Sequence, residues 1–204
     1  MTVPSSGRRE RKKAATRQKI ADTALRLFLD RGYDAVGIRD VAAEADVAVT
    51  TLFSHFASKE ALVFEQDEDF ERRLTRAVTD RAPDEPLIPA LRREIHALVR
   101  HCTGDAAAPL WRLIDASPAL RQYEQSMRVR HAESLARAIA ADLGLTQTTT
   151  ACRSIARCVI DAFSLAREAD DPDAAVEEVF RMAEAAWNAT SLSSAVTGGP
   201  ARRP

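Results

Sequence analysis

Gly37-Ile38-Arg39-Asp40-Val41-Ala42-Ala43-Glu44-Ala45-Asp46-Val47-Ala48-Val49-Thr50-Thr51-Leu52-Phe53-Ser54-His55-Phe56 is the stretch on which the fold turns. Gly37 is an acceptable N-cap, and Asp40 three residues on sits near the positive end of a helix dipole. A short helix over Ile38 to Ala45 follows. Asp46-Val47-Ala48 is a tight connection, and a second helix runs from Val49 to about Phe56. Eight residues, a turn of three, then eight more is the length pattern of a DNA-binding helix-turn-helix. Val41, Ala42, Val47, Leu52 and Phe56 can pack inward with Leu27 and Phe28 of a preceding helix. Val49, Thr50, Phe53 and Ser54 are then left facing outward. Short side chains on an exposed helix approach base edges closely, and Thr and Val methyls suit thymine methyls.

Outward from this core the chain keeps helical spacing almost everywhere, with 7 glycines in 204 residues and no sustained alternation. The fold class expected is all-α, with about nine helices. The first runs from about Lys13 to Arg31 on the face Ile20, Ala24, Leu27 and Phe28, closed by Gly32. Ser58 begins a long fourth helix to about Asp80. Further helices cover Ile88 to Cys102, Ala108 to Asp115, Pro118 to Leu143, Thr148 to Ala169, and a last one after Asp171-Pro172. The domain bounds expected are a basic flexible arm over 1–12, the helix-turn-helix domain over 13–60, a regulatory and dimerisation domain over 61–189, and a disordered tail over 190–204.

Arg39-Asp40-Val41-Ala42 through Val47, then Thr51-Leu52-Phe53-Ser54-His55-Phe56, then Ser58-Lys59-Glu60-Ala61-Leu62, resembles the signature of the tetracycline-repressor (TetR) family. The resemblance is close over about residues 13–65. It implies a transcriptional regulator, most simply a repressor released from operator DNA by a small-molecule effector, with an activator or ligand-independent regulator as the alternative. It implies that Arg39 reaches a base or phosphate, and that Val49 and Thr50 meet bases. Thr51, Phe53, Ser54 and His55 lie along the phosphate backbone, and Lys59 places an ammonium on a phosphate. Gly37, Ala48 and Phe53 stand where the family often has a threonine cap, a serine-type cap and a tyrosine.

The resemblance also implies a homodimer through the last two helices, with Phe163, Val176, Phe180 and Trp187 as candidate interface residues. It further implies an effector cavity among helices four to seven, for which Trp111, Tyr123, Met127 and His131 combine apolar bulk with sparse polar groups.

Charge supports a nucleic-acid partner. Residues 1–20 hold seven bases and one acid, so they carry +6, leaving −7 on a chain of net charge −1. No catalytic constellation, phosphate loop or metal-binding run is legible, so neither an enzyme nor a cofactor is expected. The acidic run Glu65, Asp67, Glu68, Asp69 and Glu71 reads as a solvent face, and Cys102, Cys152 and Cys158 read as small buried hydrophobes. No apolar run reaches membrane-spanning length and no signal peptide is apparent, so a cytoplasmic protein with no membrane partner is expected. A helical enzyme or interaction protein with a helix-turn-helix corner is the remote alternative. It would lack salt-dependent affinity for duplex DNA.

Overall fold

The structure is a computed structural model that describes residues 6–65, 67–82, 84–102, 104 and 107–190. Among these it is all-helical: α1 (Ser6–Arg31), α2 (Ile38–Glu44), α3 (Val49–His55), a 3₁₀ turn (Glu60–Leu62), α4 (Asp67–Thr79), α5 (Leu87–Cys102), α6 (Ala108–Ala116), α7 (Pro118–Asp142), α8 (Thr150–Glu168) and α9 (Pro172–Asn188). The chain divides into two compact units. The first holds the described residues up to 65 together with Pro109–Tyr123, and the second holds the rest.

The first unit buries Ile20, Ala24, Leu27 and Phe28 of α1 against Val41 and Ala42 of α2, Leu52 of α3, Phe56 and Leu62. Ile114 of α6 and Leu120 at the start of α7 complete this core. Two left-handed residues shape it. Gly32 (φ 86°) ends α1, its N–H donating to the Phe28 carbonyl at 2.9 Å. Asp46 (φ 52°) ends α2. There Val47 N–H donates to Ala42 and Asp46 N–H to Ala43, at 2.9 and 3.1 Å, closing the helix in a Schellman turn. That turn sets the exit direction of the chain into α3.

In the second unit α8 and α9 pack on each other and on α5, with Ile95, Val159, Ala162, Val176 and Phe180 fully buried. Asp171 caps α9 by accepting from Ala174 N–H at 3.0 Å, and Pro172 fills the first turn where no N–H is needed. His96 of α5 is held by two α9 carboxylates, Nδ1 at 2.7 Å from Asp173 and Nε2 at 2.8 Å from Glu177.

The structure differs from the sequence reading at two places. α1 begins at Ser6, so residues 6–12 of the expected arm are helical; residues 1–5 and the tail from 191 lie outside the described residues. Arg, Lys, Glu and Ala are good helix formers, and nothing between Arg8 and Arg31 interrupts them. The long fourth helix expected from Lys59 is instead a 3₁₀ turn, an irregular stretch and α4. Leu62 and Val63 are both buried, and Phe64 packs against the same core. Three consecutive inward residues cannot share one stripe of a surface helix.

Candidate nucleic-acid interface

α3 is anchored by Leu52 and, just past its end, Phe56, which are 0% and 2% exposed. Its cap residue Ala48 has extended backbone and offers no side-chain hydrogen bond, as the sequence implied. Gly37 likewise has no side chain to cap α2, but Asp40 Oδ2 accepts the Gly37 N–H at 2.7 Å, the returning half of a capping box. Anchoring on Leu52 leaves Thr50, Phe53 and Ser54 exposed, with Phe53 half in solvent. Ser54 Oγ donates to the Thr51 carbonyl at 2.6 Å, and Thr51 is partly covered. Val49 is partly buried against the core rather than fully outward. Arg39 stands exposed in the first turn of α2 and makes no hydrogen bond or ion pair among the described residues.

His55 closes α3. Its Nδ1 is buried without a hydrogen-bond partner. Burial, then the charges of Lys13 and Arg17, hold its pKa below the ordinary imidazole value, so the ring is neutral at pH 7. The His55 carbonyl accepts from Arg17 Nη1 at 2.5 Å, and the same guanidinium lies 4.3 Å from the centre of the Phe56 ring and 3.5 Å from the Glu65 carboxylate. Arg17 thus caps the negative end of α3. The sequence reading gave Arg17 no such role, because its partners are 38 or more residues away.

Lys59, which the resemblance puts on a phosphate, is tied inward by its ammonium. Its Nζ donates to the Tyr33 carbonyl at 2.6 Å and lies 4.0 Å from the Tyr33 ring centre and 5.6 Å from that of Phe28. Burial holds its pKa below the usual ammonium value. Tyr33 Oη donates to Glu60 Oε1 at 2.9 Å; burial and this bond push the phenol up, keeping the proton in place. For Glu60 burial works the other way, but its own backbone N–H, Ser58, Tyr33 and the Lys59 charge keep it ionised.

Of the residues expected to line an effector cavity, Trp111 packs against the first unit's core and Tyr123 stacks on Phe64 at 5.4 Å. Met127 and His131 are buried in the second unit, His131 stacked on Phe70 at 5.1 Å. The structure therefore distributes the four between two units. The second unit also carries a cleft of about 320 Å³ lined by Arg73, Arg76, Arg81 and Arg93 with Asp80 and Glu94, and none of the four residues lines it.

The candidate dimer residues all pack within their own chain. Val176, Phe180 and Trp187 are 0%, 0% and 4% exposed within a single chain, and Phe163 packs edge-on against Phe70. They fill their own protomer's core because α8 and α9 turn their broadest apolar faces onto each other and α5. The large apolar side chains left in solvent on these helices are Leu165 and Met182. Burial pushes the Cys102 and Cys158 thiols up, which disfavours the reactive thiolate. Among the described residues no cluster of His, Cys, Asp and Glu is arranged to hold a metal, and no helix is long and apolar enough to cross a membrane.

Two short helices joined by a Schellman turn, the second presenting Thr50, Phe53 and Ser54 to solvent, define a helix-turn-helix unit. Residues 20–65 match the family model described as bacterial regulatory proteins, tetR family. The HTH-type transcriptional repressor Rv3405c of Mycobacterium tuberculosis is 30% identical over 138 residues, covering 66% of this chain and 71% of that protein. The HTH-type transcriptional repressor DhaR of a Mycobacterium species is 31% identical over 77 residues, and that match spans only 38% of either protein. The crystal structure of the TetR family repressor AlkX from Dietzia, implicated in n-alkane biodegradation, has the same fold: TM-score 0.58 at 22% identity, covering 83% of this chain and 96% of AlkX. The chain belongs to the tetR family and is a DNA-binding transcriptional regulator.

Proposed function

We propose that the protein is a cytoplasmic, homodimeric repressor that a small-molecule effector releases from operator DNA. The observation that carries this reading is the free outer face of α3, where Thr50, Phe53 and Ser54 are exposed while Leu52 fixes the helix from below. Thr50 and the outer edge of Val49 meet base edges. Thr51, Phe53, Ser54 and His55 run along the phosphates, and Arg39 adds a guanidinium from α2. His55 serves as a neutral hydrogen-bonding ring until a phosphate approaches. Lys59 acts chiefly as an internal clamp. Repression, rather than activation, is supported by the names of relatives such as Rv3405c and DhaR.

A symmetric dimer presents two recognition helices about 34–36 Å apart, one turn of duplex. Leu165 of α8 and Met182 of α9, exposed in the lone chain, are the apolar side chains a partner copy would cover. For the effector, the second unit offers Met127 and His131 with the Phe70 and Phe163 rings, an apolar and aromatic setting with one imidazole. An effector favouring a state with altered helix spacing loosens the operator by its difference in affinity between the two states. Trp111 and Tyr123 serve as packing residues of the first unit.

The test is a gel shift with the DNA upstream of the protein's own gene and of its neighbours. A retarded band that weakens steeply with salt, at two protomers per site, is expected. No retardation of any duplex at low ionic strength overturns the reading. Effector candidates are then scored by release of that band.

A further inference from the structure

We propose that the cleft between α4 and the start of α5 binds a small zwitterion, a free amino acid, through Arg76, Arg81 and Asp80. This site stands apart from DNA binding, and Met127, His131, Phe70 and Phe163 do not line it. Arg73, Arg76, Ala77 and Asp80 are spaced i, i+3, i+4, i+7 and so form one wall. Glu85, Arg93 and Glu94 line the cleft from the α5 side.

Most of these charges already cancel in pairs. Arg73 Nε donates to Glu94 Oε1 at 2.6 Å, Arg93 is paired with Glu85, and Arg81 Nη2 donates to Asp142 Oδ2 at 2.5 Å. One cation and one anion remain. Arg76 is exposed, and its side chain makes no hydrogen bond or ion pair among the described residues. Asp80, one turn on, accepts from the Thr79 hydroxyl at 2.7 Å and makes no ion pair among the described residues. The two do not pair with each other, although they share a helix face.

Arg81 carries an unmet donor. Its side chain is 9% exposed, and its Nε is buried with no hydrogen-bond partner. A buried donor left unpaired is unfavourable. One ligand resolves all three positions. A carboxylate accepts from Arg76 and, after a small turn of the guanidinium, from Arg81 Nε, while an ammonium donates to Asp80. A dianion such as phosphate would meet Asp80, Glu85 and Glu94 with a single free cation to balance it, so a net-neutral ligand fits better. The cleft volume, about 320 Å³, lies at the low end for small-molecule sites, and Ala77 is the one apolar residue lining it among the described residues. Both features suit a small polar side chain.

The experiment titrates the full-length protein with each common amino acid singly, by calorimetry and thermal shift. At least one with a small polar side chain should bind saturably at about millimolar concentration or below. The hydroxy acid and the amine of the same carbon skeleton, and inorganic phosphate, should each bind at least about 10-fold more weakly. Arg76→Gln and Asp80→Asn should each weaken binding roughly 10- to 100-fold, the contribution of one charge-assisted hydrogen bond. Arg100→Gln, at an exposed arginine of α5 outside the cleft, should change nothing. Arg81→Lys keeps a charge beside Asp142 but lacks the Nε donor. It should weaken binding and identify, by its loss from the ¹H–¹⁵N spectrum, the Arg81 Nε–H signal, which should move as the wild-type site fills. Binding by no amino acid, or equal binding by the hydroxy acid or by phosphate, overturns the zwitterion site. Undiminished affinity in both Arg76→Gln and Asp80→Asn overturns its place in this cleft.

Discussion

Lys59→Met separates two physical roles for one ammonium. In the structure Nζ donates to the Tyr33 carbonyl at 2.6 Å and sits 4.0 Å from the Tyr33 ring centre. A hydrogen bond from a charged donor contributes about 1.5–3 kcal/mol, and a partly exposed cation–π contact about 0.5–1 kcal/mol. The two share one group and do not add in full. Methionine keeps the apolar stem, so most of the packing survives. The expected loss is about 2 kcal/mol, a fall in the thermal midpoint of roughly 4–8 °C for a chain of this size. Urea titration and thermal melting followed by circular dichroism read this directly. The salt slope of duplex binding, measured in parallel, should stay within error of wild type, since no phosphate contact is removed. An unaltered melting midpoint together with a slope shallower by about 0.9 per protomer would refute the clamp and restore Lys59 to the phosphate backbone.

Asp46→Gly should stabilise the protein by about 1 kcal/mol, because φ 52° costs an aspartate what it does not cost a glycine; chemical denaturation checks it. Phe180→Ala should cost about 3–5 kcal/mol through the cavity it leaves, whereas Leu165→Lys with Met182→Lys should leave the melting curve of the lone chain near wild type and yield monomers in sedimentation. His55 carries a pH signature. Its folded pKa is depressed, so its contribution to stability is complete above about pH 6.5 and is lost as pH falls below that value. A phosphate raises the pKa in the complex, so duplex binding should strengthen as pH falls from 8 to 6, and His55→Asn should flatten that profile.

The pattern from Gly37 to Phe56 was legible because its two ends are punctuated and its inward residues alternate at helical spacing; α2 and α3 lie within a residue of the expected bounds. Residues 6–12 were not legible as helix, since an all-polar surface segment has no apolar stripe to reveal its period. The break after Lys59 was hidden for the opposite reason: Leu62, Val63 and Phe64 are apolar, as the middle of a helix would be, and only tertiary burial shows that all three turn inward. Arg17, Tyr33 and Lys59 were invisible as a set because their partners lie 26 to 48 residues away. Phe163, Val176, Phe180 and Trp187 show the limit of reading apolar faces. A stripe says that something covers it, but not whether the cover is the same chain or another.

Val176, Phe180 and Trp187 of α9 are buried within a single protomer, so in the proposed homodimer each subunit is expected to keep its core when its partner leaves. Subunits can then separate and re-pair without unfolding, so a copy with a crippled α3 should trade into wild-type dimers and silence them. Co-expression of such an allele should relieve control of the target promoter in proportion to its dose.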